Sequence, residues 1–440
     1  MAPAEHRETD LALLERDALV DENPLATADQ RDLEALAIRL HFTPEIAAAR
    51  ARTALLWIGR FTHQPSTEAM QSFDGAVAEF VFHCCLNAAN SDAGNPRVLK
   101  VEGEPHHWFG MDVPGARRGG NNADNAYRII PVDGSGRFEI IGKVHDHPPA
   151  DVTTTLIANT AMSKTVMTIE WRDIVIGEGG IFRLTVDPEP PGDRPNHFQS
   201  TPEARYLFIR DTLTDWTAQR ANRLVARRLD PPPPPPEFDE LVRRAAEYAD
   251  NDMAYYWDMC MGQSYSFPVN TIPPVRNAGS FGGLVSQSGS TGHFAVADDE
   301  ALVVTVTRGS APYMSLMAHD PWWRTLDFAP RTASLNNDQL VADADGAFTF
   351  VIAPRDPRFH NWIDTGGVHE GIFYFRWQGL PPDDPDPPAV RSYRLVRVAD
   401  LDSALPEGTR RISGDQRREQ QEQRRRAVAG WWNDGSGPAA

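Results

Sequence analysis

The densest group of side chains able to carry chemistry runs from Arg358 to Gly371, Arg-Phe-His-Asn-Trp-Ile-Asp-Thr-Gly-Gly-Val-His-Glu-Gly. Within it, Asp364 and His369 are close enough to meet across the turn at Gly366 and Gly367, where glycine lets the chain bend sharply. A carboxylate beside an imidazole is the minimum that orients a general base and holds its proton. The same string also suits a plain turn, with Asp364 capping it and His369 packing on a strand. A second group, Gly119 to Arg128, offers amide and acidic side chains followed by an aromatic hydroxyl. Here Asp124 or Tyr127 is the candidate acid and Arg128 a candidate substrate contact, although Asn and Asp clusters are also ordinary turn formers. Asn336 is added as a polar anchor, with Trp323 and Tyr256 as walls of an apolar pocket.

Other motifs are weaker. His145-Asp146-His147 would bring two imidazoles to one side of a strand, as a metal ion needs, but spacing identifies no third ligand. The alternative is a loop leading into Pro148 and Pro149, and no metal is assigned. Cys84 and Cys85 follow Phe82 on a helical pattern, and Cys260 sits between Met259 and Met261, so all three read as buried apolar thiols. The string from Gln287 to Gly292 lacks the GxSxG spacing of a nucleophile elbow. There is no P-loop and no strand-borne GxGxxG, so nucleotide use is unsupported and no organic cofactor is expected.

These candidates need elements to hold them. Residues 1–96 form a helical front end: Leu33, Leu36, Ala37 and Leu40 recur at helical spacing, and Thr43-Pro44 reads as an N-cap with proline at the first helical position. Ala47 to Phe61 and Thr67 to Leu86 continue the pattern. Short β-rich runs then fill a first block, 97–198, with Asp133-Gly-Ser-Gly136 placed as a hairpin turn. Residues 199–262 are predicted helical around a stiff connector, Pro231 to Pro236, with Tyr206, Ile209, Leu213, Trp216 and Leu224 on one helical face. That connector reads as a rigid spacer, or alternatively as a ligand for a proline-recognition domain. A second β block spans 263–400, with a tight turn at Asp343 to Gly346, and a charged helix with Trp431 and Trp432 occupies 401–440. The fold class expected is α+β: two antiparallel, sandwich-like β blocks, each preceded by helices, with a C-terminal helix. The order helix, β block, helix, β block hints at one unit used twice.

The composition narrows the partners. Over 440 residues, 43 Lys and Arg face 61 Asp and Glu, a net charge of −18. No basic stripe offsets this, which argues against nucleic acid and against anionic membrane surfaces. Three cysteines, two of them adjacent, build no disulfide framework and point to a reducing compartment. The first residues lack a signal-peptide layout, and no apolar run reaches the roughly 18 residues of a membrane span. A cytoplasmic protein is expected.

Ala311-Pro-Tyr313, Asp320-Pro-Trp-Trp323, Ser334-Leu-Asn336, Asp343-Ala-Asp-Gly346, Asn361 to Gly367 and Gly371 through Trp377 form an ordered series. Over about residues 265–398 this series resembles the bacterial DUF1214 family, often joined to a DUF1254 region. The resemblance implies β-sandwich modules with helical additions in soluble, oligomeric proteins, and it supplies no catalytic residues. Polar residues clustered on β-block loops beside many aromatics give the expected function, an enzyme without organic cofactor. It acts on a small, largely apolar hydroxyl- or carbonyl-bearing molecule by acid–base chemistry of the lyase, isomerase or hydrolase kind. In that reading Asp364 orients His369 as base, and Tyr127 or Asp124 serves as acid. Two alternatives are a non-catalytic glycan- or protein-binding sandwich, and a homo-oligomer in which Trp431 and Trp432 dock on a neighbouring subunit.

Overall fold

The computed structural model describes residues 3–435 apart from 62, 162, 163, 282 and 382, with backbone only for 3–8, 259, 260 and 281; the side chain of Cys260 thus lies outside what is described. The front end folds as its capping signals dictate. Helix α1 (Pro3–Arg16) is followed by α2 (Ala28–His41), where the Thr27 side chain accepts a hydrogen bond from the Gln30 N–H. Next come α3 (Pro44–Arg60) with proline in its first turn, the short α4 (Thr67–Met70), and α5 (Phe73–Ala89), which is buried along nearly its whole length. Helix α6 (Phe238–Tyr255) passes into a π-helical turn at Tyr256–Met261 and then α7 (Gly262–Tyr265). Near the C-terminus lie α8 (Leu401–Ala404) and α9 (Gly414–Trp431), the latter opened by a capping box between Ser413 and Gln416.

The first β block comprises β1 (Leu99–Val101), a small hairpin of β2 (His106–Trp108) and β3 (Met111–Val113), β4 (Asn125–Pro131), β5 (Phe138–Lys143), β6 (Asp151–Ile157) and β7 (Thr165–Glu170). It continues through β8 (Ile181–Asp187), β9 (His197–Gln199), β10 (Tyr206–Thr212) and β11 (Arg223–Arg228). The second comprises β12 (Arg276–Asn277), β13 (Ser288–Ala295), β14 (Glu300–Thr307), β15 (Tyr313–His319), β16 (Ser334–Asn336), β17 (Phe348–Ala353), β18 (Trp362–Asp364), β19 (Glu370–Gln378) and β20 (Ala389–Arg397). Each block is a sandwich of a five-stranded and a four-stranded sheet. The orders are β1-β4-β10-β6-β7 over β11-β5-β8-β9, and β12-β13-β19-β15-β16 over β20-β14-β17-β18. Position by position these are one topology repeated, down to a parallel edge pair in each, β8 with β9 and β17 with β18. The fold is α+β, with a duplicated sandwich.

Alternation along the strands divides the apolar residues. In the first sandwich Ile130, Ile140, Leu184 and Leu207 fill the interior, while Ile129 and Phe208 face outward onto a helical layer with Leu33, Phe80 and Met253. In the second, Leu302, Val304, Leu316, Phe373 and Trp377 fill the interior. Helix α9 lies across both units, Trp431 resting on Trp216 at 5.3 Å and near Phe328 at 6.3 Å. No helix among the described residues is long and apolar enough to cross a membrane.

Two expectations are corrected. Residues 201–229 are not helical but carry β10, β11 and the loop between them, so the first β block closes at Arg228 rather than near residue 198. Tyr206, Leu207, Phe208 and Ile209 are all buried, and an apolar run covered on both faces suits an inner strand; the i, i+3 spacing joined residues of two strands and their loop by coincidence. The Asp133–Gly136 turn is no hairpin. It carries the chain from β4 in one sheet to β5 in the other, with Asp133 Oδ1 accepting from the Ser135 and Gly136 N–H groups.

Candidate functional site

A cavity of about 330 Å³ opens where the two halves meet. Its walls come from β4 and β10 of the first sandwich, β13 and β19 of the second, the loop at Arg118 to Asn121, Tyr255 of α6 and the segment around residues 263–291. Each half contributes an aromatic pair. Tyr127 stacks with Phe208 at 5.7 Å, and Trp323 with Tyr374 at 5.9 Å. Each half also contributes an arginine two residues after an aromatic on the same strand, laid over that ring: Arg210 over Phe208 at 4.3 Å and Arg376 over Tyr374 at 3.8 Å. Gly119 and Gly120, both with positive φ (65° and 64°), carry the Arg118 loop past Tyr256 and Trp323.

The polar groups here are incompletely satisfied. Arg376 gives one N–H to the Gly120 carbonyl and approaches Met317 Sδ at 3.6 Å, while Arg210 reaches Thr155 Oγ1 only at 3.4 Å. Arg118 donates no hydrogen bond among the described residues; its Nε is buried without a partner, and Glu102 Oε1 stands 3.9 Å from its Nη2. Glu102 accepts none either, and its side chain is only 10% exposed. Asn125 Oδ1 and Trp323 Nε1, both from lining residues, are likewise buried and unpartnered. Buried polar atoms in native proteins are almost always met, so these groups have hydrogen-bonding capacity left over. Glu102 and Trp323 also hold left-handed backbone at φ 63° and 62°, an uncommon state for residues with side chains.

Burial sets the electrostatics. It raises the Glu102 carboxyl above its ordinary range, against the opposing pull of Arg118, Arg210, Arg376 and Lys100. Burial also pushes the Tyr127 hydroxyl up to about 12, so it remains a protonated donor. Arg210 is lowered, first by burial and in part by Arg376, so the two guanidiniums feel each other.

The residues named from sequence divide. Tyr127 and Trp323 line the cavity. Tyr256 lies under the loop, its hydroxyl accepting from the Gly119 N–H at 2.7 Å and donating to the Trp322 carbonyl at 3.0 Å. Arg128 follows Tyr127 on β4 and so faces the other way, where it binds Asp211 and the Asn222 carbonyl; it is not a substrate contact. Asp124 and Asn336 do meet, but inside a closed network away from the cavity. Asp124 Oδ1 accepts from Asn336 Nδ2 at 2.8 Å and Trp216 Nε1 at 2.7 Å, and Oδ2 accepts from Tyr313 Oη at 2.6 Å. Burial raises this carboxyl as well, against those three donors.

Asp364 and His369 form no dyad. Asp364 is buried at the end of β18, where Oδ1 caps the Gly366 N–H and Oδ2 lies 3.4 Å from Arg331, and burial raises it. His369 is 43% exposed and bonds Glu68 at 2.9 Å and Asp298 at 3.2 Å. The positive-φ glycines between them turn the chain so that the two side chains leave in different directions. His145 and His147 sit in the loop after β5 with rings 6.2 Å apart, and no group of three or more metal-ligating side chains exists among the described residues. Sequence reasoning missed Glu102, Arg118, Arg210, Arg376 and Tyr374. One signal was present: Phe208-Ile-Arg210 and Tyr374-Phe-Arg376 put a charge inside otherwise apolar strand runs.

No family model matches the chain, and no curated protein matches it. Among solved structures, an uncharacterized protein from Burkholderia cenocepacia superposes with a TM-score of 0.68 at 21% identity, covering 83% of this chain and 100% of that one. The likeness is one of fold. A protein from Vibrio parahaemolyticus reaches a TM-score of 0.39 at 11% identity over 62% of this chain and 90% of its own.

Proposed function

We propose that the chain is an enzyme acting by acid–base chemistry on a small hydroxyl- or carbonyl-bearing molecule in the cavity between the sandwiches, with Glu102 rather than His369 as the proton-transferring group. Glu102 carries the reading: a carboxylate lining a cavity, on left-handed backbone, with no hydrogen bond of its own among the described residues. Burial raises this carboxyl above its ordinary range, the direction that makes a carboxylate a stronger base. Tyr127 supports it. Its hydroxyl accepts from the Asn122 N–H at 2.9 Å, while its own proton has no acceptor among the described residues and is left to polarise a carbonyl. An apolar substrate body fits the aromatic walls.

A cytoplasmic, homo-oligomeric protein without organic cofactor belongs to the same reading, as does kinship of the second sandwich to the DUF1214 family. Cys84 and Cys85 are free and buried, in keeping with a reducing compartment. The glycan- or protein-binding alternative is tied to exposed, coplanar tryptophans, and the exposed large aromatic residues described are Phe42 and Tyr393, with no tryptophan among them.

The test is proton exchange in D2O with a panel of small hydroxy and carbonyl compounds, charged and neutral, followed by proton NMR. The wild-type chain is expected to exchange or turn over at least one compound, and Glu102→Gln to slow it about 100-fold or more. A Glu102→Gln protein running at the wild-type rate refutes the assignment.

A further inference from the structure

We infer that the molecule taken by this cavity is a small organic acid, its carboxylate held among Arg118, Arg210 and Arg376 and its flat apolar body lying between the Tyr127–Phe208 and Trp323–Tyr374 pairs. The inference rests on the proposed location of the site, but it concerns the substrate's chemical class and is read out by binding, not turnover.

Charge comes first. Four guanidiniums line the cavity, Arg118, Arg210 and Arg376 with the exposed Arg276, against one carboxylate, Glu102, which leaves three positive charges uncompensated, or four whenever Glu102 is protonated. Asp252 lies within electrostatic reach of Arg118 and Glu170 within reach of Arg210, yet neither lines the cavity and each accepts from a hydroxyl, Thr160 Oγ1 at 2.8 Å and Ser286 Oγ at 2.7 Å. Sequestering unpaired like charges is costly unless a counter-ion arrives. A bound anion supplies it.

Unused donors come second. Arg118 is buried with its donors unmatched among the described residues, and Arg210 makes one long contact. A guanidinium presents paired N–H groups in a planar fork, the geometry that a carboxylate accepts bidentately. A phosphate site ordinarily adds a cluster of backbone N–H groups or a helix N-terminus. Here the two glycine N–H groups of the loop are already taken, Gly119 by Tyr256 Oη and Gly120 by the Trp323 carbonyl. The carboxylate is therefore the better match.

Duplication supplies the third argument. Strands β10 and β19 hold equivalent places in the two five-stranded sheets, and each delivers aromatic-x-arginine to the same cavity. Thr212 and Gln378, two residues beyond each arginine, touch at 3.3 Å across the junction. The two halves thus present matching cationic and aromatic groups to one ligand. A volume of about 330 Å³ keeps that ligand small.

Calorimetric titration of the full chain tests this with benzoate and cinnamate, their neutral amides benzamide and cinnamamide, and inorganic phosphate alone. The acids are expected to bind at least 30-fold more tightly than the amides and than phosphate. Arg118→Gln is expected to weaken acid binding at least 30-fold with no effect on the amides, and Arg118→Lys to restore part of it. Circular dichroism and thermal melts show whether each variant is folded; should Arg118→Gln fail to fold, Arg210→Gln carries the same expectation. Glu102→Gln is expected to bind the acids as tightly as wild type or more tightly. Amides binding as well as acids, phosphate matching benzoate, an unaffected arginine variant, or no acid binding at millimolar concentration each overturn the inference. Tight acid binding beside an unchanged Glu102→Gln turnover would instead overturn the catalytic role of Glu102 and leave the substrate class standing.

Discussion

A buried carboxylate that serves the fold has its lone pairs met, and Asp124 shows how completely that can be arranged. Three donors converge on it, Trp216 from the first sandwich and Tyr313 and Asn336 from the second, so it joins the halves rather than serving chemistry. Asp124→Ala removes the acceptor of all three, leaving Asn336 Nδ2 only its bond to the Thr214 carbonyl, and is expected to destabilise the fold by about 3 kcal/mol or more, measured by urea unfolding. His369 behaves oppositely. Its bonds to Glu68 and then Asp298 raise its pKa above the ordinary 6.5, so its contribution is complete below 6.5 and lost as pH rises through the higher folded value. With the side chain 43% exposed, His369→Ala is expected to cost under about 1 kcal/mol at pH 6 and less at pH 8, with no loss of turnover. Asp252 gives the reverse sign. Burial raises it from 3.8 to about 6, so the folded state holds the proton more tightly and stability falls as pH rises across that interval. Asp252→Asn is therefore expected to be neutral near pH 3.5 and stabilising by roughly 2 kcal/mol above pH 7, read from thermal melts at the two pH values.

At the scale of elements, what was legible depended on how local the signal is. Helices α2 and α3 announce themselves through Thr27, Thr43-Pro44 and a one-sided apolar stripe, all within a few residues. Strand β10 gives no such sign, because a run buried on both faces has no alternation to read. Its position between β4 and β6 is fixed by pairing with strands about 50 and 80 residues away in sequence. The polyproline stretch stands exposed between β11 and α6. Strand β13 carries a sharper dependence at Gly289, where an added Cβ would come 2.8 Å from the ring of Tyr374. Gly289→Ala is expected to push that ring into the cavity, weakening benzoate binding several-fold at a stability cost of about 1–3 kcal/mol, both measurable on one preparation. Unchanged benzoate affinity would show that Tyr374 does not wall the ligand.

Across the whole molecule, α9 acts as a brace within the chain. Arg424 reaches the Phe328 carbonyl, Ser334 and Gln339 of the second half, while Trp431 rests on Trp216 of the first and Trp432 stacks on His106 at 3.7 Å. Both tryptophans thus pack within the chain. Truncation before residue 405 is expected to lower the thermal midpoint by at least about 5 °C, and an unchanged melt would refute the bracing role. The α+β class, the capped front helices, the two β-rich blocks and the acidic net charge could all be read from residue order alone, because they follow from spacing within a few residues or from simple sums. Only the tertiary structure decided that Glu102, Arg118, Arg210 and Arg376 share one hollow while Asp364 and His369 part company. Which face a strand side chain takes is set by pairing register, and that register links positions too far apart in sequence for any local pattern to record.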